Sequence, residues 1–163
     1  MKNDLLREVY ERYSRELFIY CYSLCKSRQA AEDIMQETFL KAIISLPDEH
    51  MNIRAWLYMV ARNLFLNQAR INSRMTGDEV SEMPEMSDKS AEDEVLARLQ
   101  NKQLYGAIMR LDTRKREIIM LQYFSGVPHD YIAKLTGLTP ANVRTLSHRA
   151  KKELKAIMEE NEQ

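Results

Sequence analysis

The chain has 163 residues, enough for one ordinary domain or two small ones, and its hydrophobic content of 45% excludes a protein that is disordered throughout. No apolar run approaches the roughly 20 residues of a membrane span, and the N-terminus lacks a signal-peptide layout, so we expect a soluble cytoplasmic protein without membrane insertion. The 24 basic and 24 acidic side chains cancel overall, but residues 1–74 carry a net charge of +2, residues 75–99 of −6 and residues 100–163 of +4. This uneven distribution of charge along the chain indicates that different segments have different binding partners or roles.

The first predicted helix has apolar residues at helical spacing from Leu5 to Leu24, and neither Pro nor Gly occurs before Pro47. The two cysteines, Cys21 and Cys25, lie four residues apart and share one face of this helix. We interpret both as small buried core residues, because free Cys is often buried and a metal site would need two further ligands. No metal or other cofactor is predicted.

A second helix is predicted from an N-cap at Ser27 to Leu46. Its polar face combines two acids, an amide and one apolar residue at positions i, i+3, i+4 and i+7, namely Asp33, Gln36, Glu37 and Leu40. The opposite face carries Ile34, Met35, Thr38, Phe39 and Ala42. A stripe of this kind can dock on a basic partner helix, and an ordinary solvated face produces the same pattern.

A third helix is predicted from near Asn52 to about Ile71, after a short loop at residues 47–52. We expect its apolar residues to face inward, including the lone tryptophan: Ile53, Trp56, Leu57, Val60 and Leu64. A polar stripe is predicted to face outward, and it consists of Asn63, Asn67, Arg70 and Arg74. Amide and guanidinium groups suit nucleic acid, since they can reach both bases and phosphates.

Residues 74–89 differ in composition from the helices before them: they contain Gly77, Pro84 and repeated acidic residues, and their apolar residues show no sustained helical periodicity. Low hydrophobicity and like charges predict a flexible linker there. Ser90 followed by Asp93 fits a capping box that restarts a helix. We therefore predict two domains, at residues 1–73 and 90–163, joined by an acidic linker at residues 74–89.

In the second predicted domain, helices are predicted at about residues 90–110, 113–124, 128–135 and 140–158. No segment of the sequence shows the alternation of a β-strand, so the predicted fold class is all-α. Pro128 opens a short helix, Gly137 can close it with a left-handed turn, and Thr139 with Pro140 begins the next. Together with Ala133 and Val143, these residues stand at the offsets of a helix-turn-helix.

The last helix is predicted to bury Val143, Leu146, Ala150, Leu154 and Ile157. Its outward set is mainly cationic and consists of Arg144, Thr145, His148, Arg149, Lys151 and Lys152. Arg can form two hydrogen bonds with guanine, Thr can contact the methyl group of thymine, and Lys can neutralise phosphate, so this set is typical of a recognition helix. The alternative is a C-terminal amphipathic helix whose cations favour its own C-terminal end.

Three motifs in order, "AEDIMQETFLKA", "WLYMVARN" and "GLTPANVRTLSHRAKKEL", with the acidic segment before the last, cover nearly the whole chain. In these motifs the chain resembles the compact two-domain bacterial sigma factors of the extracytoplasmic-function (ECF) group. The resemblance implies a non-enzymatic RNA polymerase subunit that directs the enzyme to promoters. It implies core polymerase (β′ and β subunits) and promoter DNA as partners, with an anti-sigma factor as a further partner that the family commonly uses.

The resemblance also implies site residues. The stripe of Asp33, Gln36, Glu37 and Leu40 matches the surface for the β′ coiled coil. The loop with His50 and Asn52, and the following Asn63, Asn67 and Arg70, match the part that reads and melts the −10 element. Arg144, Thr145, His148, Arg149 and Lys152 match the helix at the −35 element, the first three facing bases. Departures from the family pattern are Met59 in place of a basic residue, a loop without an aromatic, and Leu146–Ser147 in place of a basic–apolar pair.

Two other classes of protein compete with this interpretation. A stand-alone helix-turn-helix regulator, with a sensing or dimerising N-terminal domain, would bind its operator without polymerase. An enzyme such as a metal-dependent hydrolase would need a catalytic set in the N-terminal block, where we find neither an HExxH motif nor a Ser/His/Asp set.

Overall fold

The structure, a computed structural model, describes residues 2–45, 52–76 and 102–162. These residues form seven helices: α1 (Lys2–Cys25), α2 (Arg28–Ser45), α3 (Ile53–Thr76), α4 (Lys102–Met109), α5 (Thr113–Tyr123), α6 (His129–Thr136) and α7 (Pro140–Asn161). No strand occurs in these three ranges, which confirms the all-α fold class. The chain divides into two compact units, residues 1–86 and residues 87–163.

The centre of the first unit is the C-terminal half of α1, where every residue from Leu17 to Cys25 is buried. This stretch is mainly apolar, and its one serine, Ser23, donates its hydroxyl to the Tyr20 carbonyl at 2.6 Å. It can therefore be surrounded by neighbours, and α1 contacts both α2 and α3. Cys21 and Cys25 are free and buried, as expected. Burial raises the pKa of the Cys21 thiol, and it raises the pKa of Cys25 to about 12.

The second helix begins as predicted, with the Ser27 hydroxyl accepting a hydrogen bond from the Ala30 N–H at 3.3 Å. Its inward face is also close to the prediction: Ala31, Ile34, Thr38, Phe39 and Ala42 are buried, and Met35 is half-buried. The hydroxyl of Thr38 donates to the Ile34 carbonyl at 2.7 Å, so this polar group is satisfied inside the core.

The predicted inward face of α3 is partly wrong. Trp56 is only half-buried, as are Ile53, Val60 and Leu64, whereas Ala55, Leu57, Tyr58 and Ala61 are buried. The buried face is thus rotated by about one residue, or roughly 100°. Tyr58 explains the rotation, because the centre of its buried ring lies 4.8 Å from that of Tyr20 on α1.

The third helix runs to Thr76, past the predicted end near Ile71, so residues 74–76 of the predicted linker are helical. Residues 77–89 of that linker, the capping box at Ser90 and Asp93, and His50 lie outside the described residues. Of the helix predicted at residues 90–110, the structure describes the part that forms α4.

In the second unit, α5 is the central helix, with every residue from Arg116 to Leu121 buried. Its N-cap is Asp112, whose carboxylate accepts a hydrogen bond from the Lys115 N–H at 2.9 Å. The guanidinium of buried Arg116 donates to the Leu111 carbonyl at 3.3 Å. An ion pair between Lys115 and Glu153 ties α5 to α7, and both α4 and α6 also contact α7.

Candidate functional site

The turn between α6 and α7 has the geometry that the sequence predicts. Gly137 ends α6 in the left-handed conformation at φ 71°, where an L side chain would be strained. A Cβ at this position would meet no atom within 4 Å, so the backbone conformation alone explains the glycine. The Thr139 hydroxyl then accepts the Asn142 N–H at 3.1 Å, and Pro140 occupies the first turn of α7. These contacts confirm the helix-turn-helix.

The buried stripe of α7 differs from the prediction at three positions, Leu146, Ser147 and Ile157. Val143, Ser147, Ala150 and Leu154 are buried, whereas Leu146 and Ile157 are only half-buried. The stripe follows the spacing i, i+4, i+7 and i+11, which places Ser147 in line with the apolar residues. Its hydroxyl donates to the side-chain oxygen of Gln122 on α5 at 2.6 Å, so the buried polar group is satisfied.

The opposite face of α7 carries the predicted cationic set. Arg144, Thr145, His148, Arg149, Lys151 and Lys152 are all exposed. The Thr145 hydroxyl donates to the Ala141 carbonyl at 3.0 Å, which fixes the side chain. The Lys151 ammonium lies 5.2 Å from the centre of the Tyr123 ring at the end of α5. These side chains together present positive charge and hydrogen-bond donors on one helix face.

The sequence prediction missed a cation on the neighbouring helix α6. Lys134 is exposed, and its ammonium lies 5.6 Å from the centre of the Tyr131 ring. It precedes the turn glycine by three residues, so it adds positive charge beside the start of α7. Its position in the last turn of a predicted helix was the available signal.

The polar stripe of α3 lies on the surface of the first unit. Asn63, Asn67, Arg70 and Arg74 are exposed, as predicted. Asn52 has a structural task as well, because its side-chain oxygen accepts the Ala55 N–H at 3.0 Å and caps α3. This stripe and α7 belong to different units, so the structure describes each candidate surface by itself.

The predicted stripe of α2 is also exposed: Asp33, Gln36, Glu37 and Leu40 all lie on the surface, with Leu40 58% exposed. Asp33 accepts a hydrogen bond from the Gln29 side chain at 2.9 Å, one turn earlier. The sequence prediction missed the continuation of this face through Ile43 and Ile44, which are 55% and 81% exposed. Their spacing of three and four residues from Leu40 was the signal.

The described ranges hold no group of three or more His, Cys, Asp or Glu side chains that could bind a metal ion. Within the same ranges, no helix has the length and apolar character to cross a membrane.

Two family matches cover most of the chain. Sigma-70 region 2 matches residues 9–75, which include α2 and most of α3, and Sigma-70 region 4 matches residues 101–154, which include the helix-turn-helix. The chain belongs to the sigma-70 family.

Similar proteins indicate the group within the sigma-70 family. The ECF RNA polymerase sigma factor SigL of Mycobacterium tuberculosis is 30% identical over 162 residues, covering 96% of this chain and 90% of SigL. The RNA polymerase sigma factor YlaC of Bacillus subtilis is 27% identical over 160 residues, covering 95% of this chain and 92% of YlaC.

Solved structures share the fold. The sigma factor RpoE, solved in complex with the anti-sigma factor NepR from Bartonella quintana, has a TM-score of 0.72 at 22% identity, covering 94% of this chain and 96% of RpoE. CnrH, solved in complex with the cytosolic domain of CnrY, has a TM-score of 0.67 at 23% identity, covering 96% of this chain and 89% of CnrH. By its two family matches and its 30% identity to SigL, the chain is an alternative sigma factor of the ECF group, which binds core RNA polymerase and directs transcription initiation at promoter DNA.

Proposed function

We propose that the exposed face of α7 reads the −35 promoter element, with Arg144, Thr145 and His148 toward base edges and Arg149 and Lys152 toward phosphates. The observation that carries this proposal is the position of these side chains on one exposed face, directly after a capped helix start. A recognition helix places residues of its first turns in the major groove, where Arg can bind guanine with two hydrogen bonds.

Transcription with purified core polymerase across a promoter library randomised at the −35 element tests this proposal. Arg144→Ala should flatten preference at one base pair, because removal of a base-reading Arg costs about 1–3 kcal/mol at that position. Lys152→Ala is the matched control, since removal of a phosphate contact weakens binding about evenly across sequences. If Arg144→Ala leaves the base preferences unchanged, the proposal that α7 reads bases directly is wrong.

We further propose that residues 47–52 and the polar stripe of α3 engage the −10 element, through His50, Asn52, Asn63, Asn67 and Arg70. The exposure of the last three supports this proposal, and Asn and Arg side chains can reach both unstacked bases and phosphates. In such a mode, a base taken out of the stack is held by the protein, which keeps one strand open.

For the α2 stripe of Asp33, Gln36, Glu37 and Leu40, we propose docking on the coiled coil of the β′ subunit. Asp33→Arg combined with Glu37→Arg should abolish binding to core polymerase without loss of helicity, because both side chains are exposed. Asp4→Arg combined with Glu8→Arg is the matched control, since it makes the same change of charge one turn apart on the exposed face of α1. Equal polymerase affinity in the two double variants would contradict docking through α2.

Residues 1–73 and 90–163 are proposed as the polymerase/−10 domain and the −35 domain, with residues 74–89 as the tether. On polymerase, both domains reach one duplex together, so modest affinity of each for DNA is sufficient.

We propose that the protein works in the cytoplasm and is not an enzyme. A screen for turnover with added metals would reveal any catalytic activity. An anti-sigma factor is proposed as a regulator, because RpoE and CnrH, which share this fold, were solved with bound partner chains.

A further inference from the structure

The buried face of α7 contains one hydroxyl in an otherwise apolar row. Ser147 is 5% exposed and lies between Val143 and Ala150 in the buried stripe. Its hydroxyl donates to the side-chain oxygen of Gln122 at 2.6 Å, across 25 residues of sequence. Gln122 is in the last turn of α5, so this hydrogen bond joins the recognition helix to the central helix of the unit.

A buried hydrogen bond constrains how α7 is rotated about its own axis more sharply than apolar burial does. Hydrophobic burial is non-directional, so the burial of Val143, Ala150 and Leu154 favours one face of α7 without favouring one partner for Ser147. A hydrogen bond is directional, and a buried hydroxyl that loses its partner keeps its desolvation cost. The Ser147–Gln122 bond therefore penalises rotations of α7 that separate these two side chains.

The same turn of α5 also contacts the next turn of α7. Tyr123 follows Gln122, and the Lys151 ammonium lies 5.2 Å from the centre of its ring. Ser147 and Lys151 are one helical turn apart, and Arg144 and His148 occupy the same flank of α7 at neighbouring positions. A small rotation of α7 would consequently move Arg144 and His148 across the base edges that they face.

We propose that Ser147 and Gln122 are positioning residues for promoter recognition, which set the rotation of α7 and thereby the bases that Arg144 and His148 reach. The proposal rests on the assignment of α7 to the −35 element. It adds residues that touch no DNA and that determine specificity through a hydrogen bond inside the protein.

The test uses the full chain assembled with core polymerase on the library randomised at the −35 element. Ser147→Ala and Gln122→Leu should each lower the ratio between the preferred and the second base about three- to tenfold at the same one or two positions. The double variant should lower it no further than either single variant, because both remove one interaction. Ser147→Thr retains the hydroxyl, so it should keep most of the base preference that Ser147→Ala loses.

Ser125→Ala is the matched control for stability. Ser125 is also buried, at 3% exposed, and its hydroxyl donates to the Leu121 carbonyl at 2.6 Å, a hydrogen bond that does not include α7. This variant should lower thermal stability and total transcription evenly while the base preferences stay unchanged. If Ser147→Ala behaves in the same way, the hydrogen bond is only structural and the proposal is wrong.

Arg144→Ala separates this proposal from the assignment on which it rests. If Arg144→Ala changes the base preferences and Ser147→Ala does not, only the positioning role fails. If neither variant changes them, α7 does not read the −35 element and both proposals fail.

Discussion

Glu16 lies on α1, and its contact with Arg54 on α3 affects its acid–base equilibrium. Its carboxylate accepts a hydrogen bond from the Arg54 guanidinium at 2.9 Å, and the side chain of Glu16 is 24% exposed. Burial raises the pKa of Glu16, and the nearby cation of Arg54 offsets part of this rise. A raised carboxyl pKa contributes stability that is fully present below the pKa of the unfolded chain, and this contribution is lost as pH rises through the folded-state pKa.

We therefore expect an NMR titration of the folded protein to give Glu16 a pKa above the ordinary range of glutamate. Arg54→Gln should raise the pKa of Glu16 further, because it removes the neighbouring cation and its hydrogen bond. Arg12→Gln is the matched control and should raise it less, since Arg12 acts only through its more distant charge. A pKa unmoved by Arg54→Gln would contradict the described contact.

Among the helices, two glycines with open space around them separate helix propensity from turn geometry. Gly106 lies within α4 and Gly137 ends α6, and a Cβ at either position would meet no atom within 4 Å. Gly106→Ala should stabilise the second unit by about 0.5–1 kcal/mol, because alanine loses less entropy in a helix. Gly137→Ala should destabilise it by about 1–2 kcal/mol, because φ at that position is positive.

Chemical denaturation of the two variants measures both effects against the unchanged chain. The difference in sign is the informative result, since the substitution is identical and steric crowding is absent at both positions. Equal effects at Gly106 and Gly137 would mean that the left-handed turn does not require glycine.

The start of α3 presents a second question at the scale of the helix, because Asn52 caps it and is also a proposed −10 residue. Asn52→Ala should cost about 0.5–2 kcal/mol of stability, and Asn52→Ser should recover most of it, since serine is also a good N-cap. If Asn52 also contacts DNA through its amide, Asn52→Ser will be stable and still transcribe poorly. Transcription restored along with stability would show that Asn52 acts only as a cap.

At the scale of the whole molecule, the two compact units each bury a core of their own. Leu17, Tyr20 and Leu57 are fully buried in the first unit, and Tyr105, Ile108 and Ile132 in the second. Residues 1–86 and 87–163, expressed separately, should therefore each give a helical circular-dichroism spectrum and a cooperative thermal transition. A mixture of the two fragments should reproduce the sum of the separate curves.

An unfolded fragment that becomes helical only when the other is added would contradict independent folding. The same pair of fragments also tests the tether, because both together should transcribe far less than the intact chain at equal concentration. The linked domains reach promoter DNA as one molecule, and the separated ones must each bind on their own.

The sequence by itself determined the all-α class and most helix ends, because these depend on local chemistry. The caps at Ser27 and Thr139 and the turn at Gly137 use atoms within a few residues of each other. The exposed stripes of α2, α3 and α7 were also predictable, since charged and amide side chains at helical spacing stay in water.

Only the tertiary structure decided which apolar or neutral residues face inward on α3 and α7. Apolar residues cover much of α3, so periodicity leaves its rotation open, and the packing of Tyr58 on Tyr20 places Trp56 at the edge of the core. The partners of Ser147 and Glu16 lie 25 and 38 residues away in sequence. Such contacts depend on how separate helices come together, which no local spacing specifies.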